Sequence, residues 1–270
     1  MNKIVNLKTK YEVLNFIKNG GSLKYVYPCF KSDKDIVIEA IKLDKESFQY
    51  ASKILKNDKD FILTNIKKYD LNLKYVSNEL KNDVEVVSEF IKNKGLALKY
   101  ASDKLKDDKE IVMLAINKSA LSLKYTSDRL KDDKDVVLEA VKNYGCSLKF
   151  ASTRLRNDKK IVMEAVMQNE WALEFASKKL QDDKEIIMKI INKKSLNLRF
   201  ISFRLRNNKD IIMNAVKNDG MWLEFASDRL RDDRDVIKEA IKQNPKAIKF
   251  VGDNAFKTFI PIIRELVEKS

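Results

Sequence analysis

Residues 121 to 145 carry the pattern from which the rest of the chain is built. Val136, Val137, Ala140 and Val141 recur at i, i+1, i+4 and i+5, an apolar stripe of helical period, and the same stripe returns as Ile111, Val112, Ala115, Ile116 and as Ile211, Ile212, Ala215, Val216. Upstream of it, Leu121 to Leu130 predicts a first helix with Leu123, Tyr125, Thr126 and Leu130 turned inward. An aromatic ring occupies every twenty-fifth position without a gap: Tyr25, Tyr50, Tyr75, Tyr100, Tyr125, Phe150, Phe175, Phe200, Phe225 and Phe250. A fixed period near 25 is a tandem repeat, in which no unit buries its own apolar face and each must stack on its neighbours. The predicted fold is all-α: an α-solenoid of about ten 25-residue helix-turn-helix repeats, with the aromatic series as the spine of its core.

Start and stop signals support the two-helix unit. Asp133, with Asp58, Asp83, Asp108, Asp158, Asp183 and Asp233 in the same slot, stands where an N-cap carboxylate accepts free backbone N–H groups. Gly95, Gly145 and Gly220 share a slot just past the stripe, where a glycine supplies a left-handed turn. Ala51, Ala101, Ala151, Ala176 and Ala226 follow the aromatic and permit close helix approach. A serine comes next in every unit from Ser52 to Ser227, and is read as a packing residue bonded to a carbonyl one turn earlier.

A single elongated domain over 1–270 follows: an N-terminal capping helix in 1–20, tandem repeats over 21–250 and a C-terminal capping helix in 251–270. Val13, Leu14, Phe16, Ile17 and Gly20 form the first cap; Phe259, Pro261, Ile262, Ile263, Leu266 and Val267 form the last. Proline occurs only at Pro28, Pro245 and Pro261, which leaves the middle of the chain free of helix breakers.

The string Leu96-Ala97-Leu98-Lys99-Tyr100-Ala101-Ser102-Asp103-Lys104-Leu105-Lys106-Asp107-Asp108-Lys109-Glu110-Ile111-Val112 resembles the tandem units of the family called domain of unknown function 4116, across residues 21 to 250. The resemblance implies a helical array of the kind found in proteins of intracellular bacteria, amoebae and large viruses. It implies no activity.

Composition narrows the chemistry by exclusion. The chain has no histidine and two cysteines, Cys29 and Cys146, which removes His-based zinc sites, His general bases and Ser-His or Cys-His nucleophiles. Both cysteines read as small buried hydrophobes in a reducing cytosol. The Asp132-Asp133-Lys134-Asp135 and Asp232-Asp233-Arg234-Asp235 clusters lack the alternating ligands and glycine of a calcium loop, and capping accounts for them. The reading is therefore a non-enzyme with no metal, no cofactor and no small-molecule substrate. The opening residues Met1 to Lys8 lack a signal-peptide hydrophobic region and no apolar run is long enough to cross a membrane, so a cytoplasmic location is expected.

A net charge of +14 raises nucleic acid or another polyanion as a partner. Much of it is compensated locally: Glu39 with Lys42, Glu89 with Lys92, Glu139 with Lys142 and Glu239 with Lys242 at i,i+3, and Lys99 with Asp103, Lys124 with Asp128 and Glu174 with Lys178 at i,i+4. A less compensated ladder runs through Lys104, Lys106, Arg129, Lys131, Arg154, Arg156, Arg204, Arg206, Arg229 and Arg231. It suits a helix C-terminus, and with the rings assigned to the core it lacks the stacking aromatics of a single-strand binder. The remaining signal lies in departures from the repeat. Trp222, Phe203, Tyr144 and Tyr69 are the candidate anchors for a protein partner, while Trp171 takes a core slot. The expected function is a binding scaffold for a partner protein, acting as an inhibitor or effector; the alternative is a nucleic-acid or polyanion binder along the Lys/Arg ladder.

Overall fold

The computed structural model describes residues 5–191 and 201–257. Every element among them is helical. Phe200, the proposed C-terminal capping residues Phe259 to Val267 and the first four residues lie outside the described set. By contact the chain divides into two compact units, Met1–Glu139 and Ala140–Ser270. Both are arrays of the α-solenoid class and share one repeat.

That repeat has three parts. Gly95–Tyr100 is a 3-10 helix, Asp103–Lys106 a single α-turn and Lys109–Lys118 a long α-helix. The first helix expected from the sequence is thus two pieces, because the small residue and the serine after the ring are both extended: Ala101 has φ −64°, ψ 162° and Ser102 φ −62°, ψ 157°. The serine is the reason. Its Oγ accepts the Leu105 N–H at 3.3 Å and caps a new turn, an alternative that serine offers more readily than a helix interior. The same bond recurs from Ser52, Ser77, Ser127, Ser152, Ser177 and Ser202. The serines therefore cap, where back-bonding within a continuous helix was expected.

The period of the 3-10 segment decides what enters the core. At three residues per turn, positions three apart eclipse. Leu98 and Ala101 share the inward side, as do Leu123 and Thr126 and Leu173 and Ala176, and all six are buried. The ring between them falls a third of a turn away. Tyr25, Tyr50, Tyr75, Tyr100, Tyr125, Phe150, Phe175, Phe225 and Phe250 are half-exposed without exception. The aromatic series is accordingly a column along the edge of the core, and the leucine two residues earlier is the spine.

Each long helix buries the predicted stripe, for example Ile111, Val112, Ala115 and Ile116. Asp58, Asp83, Asp108, Asp158, Asp183 and Asp233 cap these helices as expected. Most helices leave through an extended residue, such as Ser119 at φ −157°, so the shared glycines do not supply a left-handed turn. A Cβ on Gly95 would stand 2.7 Å from the Ala115 carbonyl oxygen in the long helix that follows it, and the corresponding clashes at Gly145 and Gly220 are with Ala165 and Ala240. These glycines allow backbone to approach backbone. Among the described residues the left-handed ones are Gly20, which closes the N-terminal helix Lys10–Lys18, and Asp70.

In Met1–Glu139, Lys10–Lys18 packs on Lys34–Leu43, and Val84–Asn93 packs on both Lys59–Tyr69 and Lys109–Lys118. The 3-10 segments contact one another in the same order, forming a second layer. In Ala140–Ser270, Lys159–Gln168, Lys184–Ile190, Lys209–Asn218 and Arg234–Gln243 stack likewise, with Gly145–Phe150 against Glu170–Phe175 and Gly220–Phe225 against Pro245–Phe250.

Two consequences are measurable by urea denaturation. Leu123→Ala should cost about 2 to 5 kcal/mol, the range for a buried leucine, and Tyr125→Ala clearly less; equal costs would return the ring to the core. Ser102→Ala should lose about 1 to 2 kcal/mol as a cap, and a loss below about 0.3 kcal/mol would remove the serine from its assigned role.

Candidate binding face

The 3-10 layer carries the surface features. In Met1–Glu139 each lysine preceding a ring folds over it: Lys24 over Tyr25, Lys74 over Tyr75, Lys99 over Tyr100 and Lys124 over Tyr125, with ammonium-to-centroid distances of 5.2 to 5.6 Å. Lys99 also lies 6.0 Å from the Tyr125 centroid, so one cation bridges the rings of successive repeats. In the second unit Lys149 and Lys249 take the same position on Phe150 and Phe250. The i,i+4 pairs expected for Lys99 and Lys124 do not form, because the chain breaks between them and the acids. Asp103 pairs with Lys106 at 3.1 Å and Asp128 with Lys131 at 3.0 Å. On the long helices Glu39–Lys42 and Glu89–Lys92 pair as expected.

The Lys/Arg ladder separates into two columns. Arg129 and Arg204 are staples: their Nε atoms meet Asp107 at 3.0 Å and Asp182 at 2.7 Å in the preceding repeat, and a second guanidinium nitrogen donates to the carbonyl of the same residue. Arg229 does the same with Asn207. Arg154 is also engaged, and Lys104 is exposed. The second column, Lys106, Lys131, Arg156, Arg206 and Arg231, is half-buried. Counting back by 25 from Lys106 reaches Lys81, Lys56 and Lys31, which the sequence reading missed although the spacing held the signal. Gln181 is the neutral member.

The proposed protein anchors are scattered. Trp222 is 7% exposed and leans on Phe225 of its own repeat at 6.1 Å, so it is not a surface anchor; its slot is covered in other repeats too, where Ser122, Ser147 and Ala172 are buried. Phe203 is 68% exposed at the start of its short turn and Tyr144 is exposed. Tyr69 is half-buried at the end of Lys59–Tyr69 with Lys68 over it at 5.1 Å. Trp171, assigned to the core, is 43% exposed. It shares its slot with Leu96 and Leu121, also exposed, which place one aliphatic or aromatic side chain four residues before the ring. Cys29 is exposed and Cys146 buried, so the expectation of two buried thiols holds only for the second.

The third repeat is irregular. Its chain leaves Lys59–Tyr69 through Asp70 at φ 51°, and a cavity of about 200 Å³ opens among Leu71, Leu73, Phe90, Leu96 and Tyr100. Lys45 and Lys94 bridge to Asp70 at 2.7 and 2.5 Å and hold its carboxyl below the usual value. Tyr75 donates its hydroxyl to Glu46, and that bond, with a smaller contribution from burial, pushes the phenol up to about 12.

The model for the domain of unknown function called DUF4116 matches residues 13–56, 58–106, 83–131, 108–156, 133–181, 183–227 and 208–256. The chain belongs to this family. No curated protein and no solved structure matches it. The DUF4116 matches start at offsets of 25 through the middle of the chain, the interval of the ring, the lysine over it and the half-buried cation.

Because its neutral form is the one stabilised, Tyr75 adds stability below the ordinary tyrosine pKa, and that contribution disappears as pH rises toward about 12. In a titration of ring-labelled tyrosine followed by NMR, one resonance should ionise well above the others, and Tyr75→Phe should delete it. Ionisation of every tyrosine near the ordinary value of about 10 would contradict the Glu46 bond.

Proposed function

We propose that this DUF4116 chain is a non-enzymatic scaffold that engages a partner protein along the face built by its 3-10 segments. The observation that carries this reading is the column of half-exposed rings, one in each described repeat, with Leu96, Leu121 and Trp171 exposed alongside. Rigid aromatic and aliphatic side chains held at the surface by a packed scaffold are the kind of group that anchors protein interfaces. Repeat arrays present such groups at a fixed step, so affinity accumulates with the number of repeats used. The absence of histidine from the sequence and the assignment of the aspartates to caps and inter-repeat bridges support a role without catalysis. An exposed, unpaired Cys29 suits the reducing cytoplasm, where such a scaffold would act as an inhibitor or effector.

A polyanion reading has one observation in its favour. The rings stand at the surface, which removes the objection that a basic column here would lack aromatic company. Against it, Arg129 and Arg204 are committed to carboxylates of the preceding repeat.

Capture from host lysate by the wild-type chain should be compared with capture by a Leu96→Ser, Tyr100→Ser, Leu121→Ser, Tyr125→Ser variant whose helical content is unchanged. The captured set should fall at least about tenfold, as removal of several anchors would require. A set unaffected by the four changes would remove this face as the binding surface, and capture abolished by nuclease would favour the polyanion.

A further inference from the structure

Position 31 of the first repeat, with its equivalents 56, 81, 106, 131, 156, 181, 206 and 231, has a structural duty that requires no charge. Gln181 shows what the duty is: its amide donates to the carbonyls of Leu173, Glu174 and Ala176 at 3.1, 3.0 and 3.2 Å, satisfying the end of the preceding 3-10 segment. Lys31 and Lys56 do the same work with one N–H each, to the Lys24 carbonyl at 3.1 Å and the Gln49 carbonyl at 2.5 Å. A neutral donor therefore suffices, yet every other described member of the column is Lys or Arg.

The column's charge is uncompensated by a local acid at several positions, and three of them are consecutive at the N-terminal end, whereas Arg156 and Arg206, with Thr153 and Phe203 three residues earlier, are separated by Gln181. Lys106 and Lys131 have Asp103 and Asp128 three residues before them, whereas Lys31, Lys56 and Lys81 have Pro28, Lys53 and Asn78 there. These three lysines are half-buried. Burial pushes all three below the ordinary lysine value, and Lys31 and Lys81 depress Lys56 further. A row of like charges, partly desolvated, works against the fold that holds it. The carboxylate Glu46 on the same face is taken up by Tyr75, and Glu79 accepts from Asn57 at 2.8 Å.

We infer that Lys31, Lys56 and Lys81, beside Tyr25, Tyr50 and Tyr75, form a binding track for an extended acidic segment of a partner protein, one carboxylate to each lysine. This deepens the scaffold reading and rests on it. The step between stacked helical repeats is roughly 8 to 10 Å. A polyproline II strand returns the same face every third residue, at about 9 Å, so an acid at every third position would meet successive lysines in register. The rings favour a peptide over a nucleic acid. Lys24 and Lys74 lie over Tyr25 and Tyr75, and a base could stack there only after displacing them, while a carboxylate adds to the ammonium layer as it stands.

The probe is fluorescein-labelled (Glu-Pro-Pro)₅, titrated by anisotropy into the full chain at low salt, with a peptide of the same composition but contiguous glutamates and a thymidine 20-mer as comparators. Saturable binding should be seen, weaker for the contiguous peptide. Lys31→Gln, Lys56→Gln, Lys81→Gln together should weaken it at least about tenfold, and arginine at the same three positions should keep it within about threefold, since charge and not lysine itself is required. Gln181 indicates that the glutamine variant folds; should its melting temperature drop, Lys56→Gln alone must still weaken binding. No binding, binding indifferent to the glutamine changes, or tighter binding of the oligonucleotide to the same lysines would overturn the inference. If the peptide fails while ring-dependent protein capture persists, only this inference falls; if both fail, the scaffold reading goes with it.

Discussion

The fold depends on one serine per repeat and the bonds it makes, all three kinds of which are present at Ser77, Ser102, Ser127 and Ser177. Its N–H donates to a carbonyl of the preceding repeat: Ser52 to Lys31, Ser77 to Lys56, Ser102 to Lys81 and Ser127 to Lys106, each at 2.9 Å, and in the second unit Ser177 to Arg156 at 2.9 Å. Its Oγ accepts from the leucine N–H of its own turn. Its hydroxyl donates to the side chain before the capping aspartate of the preceding repeat, as Ser102 does to Asn82 at 2.7 Å and Ser177 to Asn157 at 2.6 Å. Side-chain and backbone groups at a repeat boundary are thereby satisfied at one point, and the register between neighbours is set by hydrogen bonds of fixed direction. Hydrophobic contact alone would tolerate sliding.

That node explains the acidic doublet of each repeat. The first position, Asn57, Asn82, Asp107, Asn157, Asp182 or Asn207, receives the next repeat's serine and, where one is present, its arginine. The second caps its own long helix and meets a lysine from the preceding repeat, as Asp83 meets Lys59 at 2.8 Å and Asp133 meets Lys109 at 2.9 Å. Asn and Asp alternate freely at the first because an acceptor is all the serine needs. Much of the charge of this chain is therefore mortar, paired between repeats along the surface.

What the mortar leaves over is the 3-10 face. The serine node fixes the carbonyl of the half-buried column residue, so its side chain is delivered to the same place in every repeat, beside a ring that the 3-10 period keeps at the surface. Rings, lysines and half-buried cations then share one spacing without any direct interaction having to enforce it. The composition of the face can drift from repeat to repeat, as Gln181 and Glu174 show, while the array stays intact.

Sequence alone determined the features that depend on local chemistry. The helical stripes, the aspartate caps, the repeat length and the N-terminal helix around Val13 and Ile17 were legible because periodicity and capping are properties of a few adjacent residues. The family resemblance was legible for the same reason. Tertiary structure decided the rest. Whether Leu121 to Leu130 is one α-helix or a 3-10 turn and an α-turn hangs on Ser127, which caps its own turn and finds acceptors in the preceding repeat, the Lys106 carbonyl and the Asp107 carboxylate, that a single unit does not contain. That choice, of 120° against 100° per residue, moved Tyr125 from the core to the surface. It also brought Trp171 out, while Trp222, on the same side of its 3-10 segment as the half-exposed Phe225, is buried. It divided an apparently uniform ladder into staples such as Arg129 and a column beginning at Lys31. Burial of a side chain is set by the neighbour that covers it, and in a repeat that neighbour is twenty-five residues away.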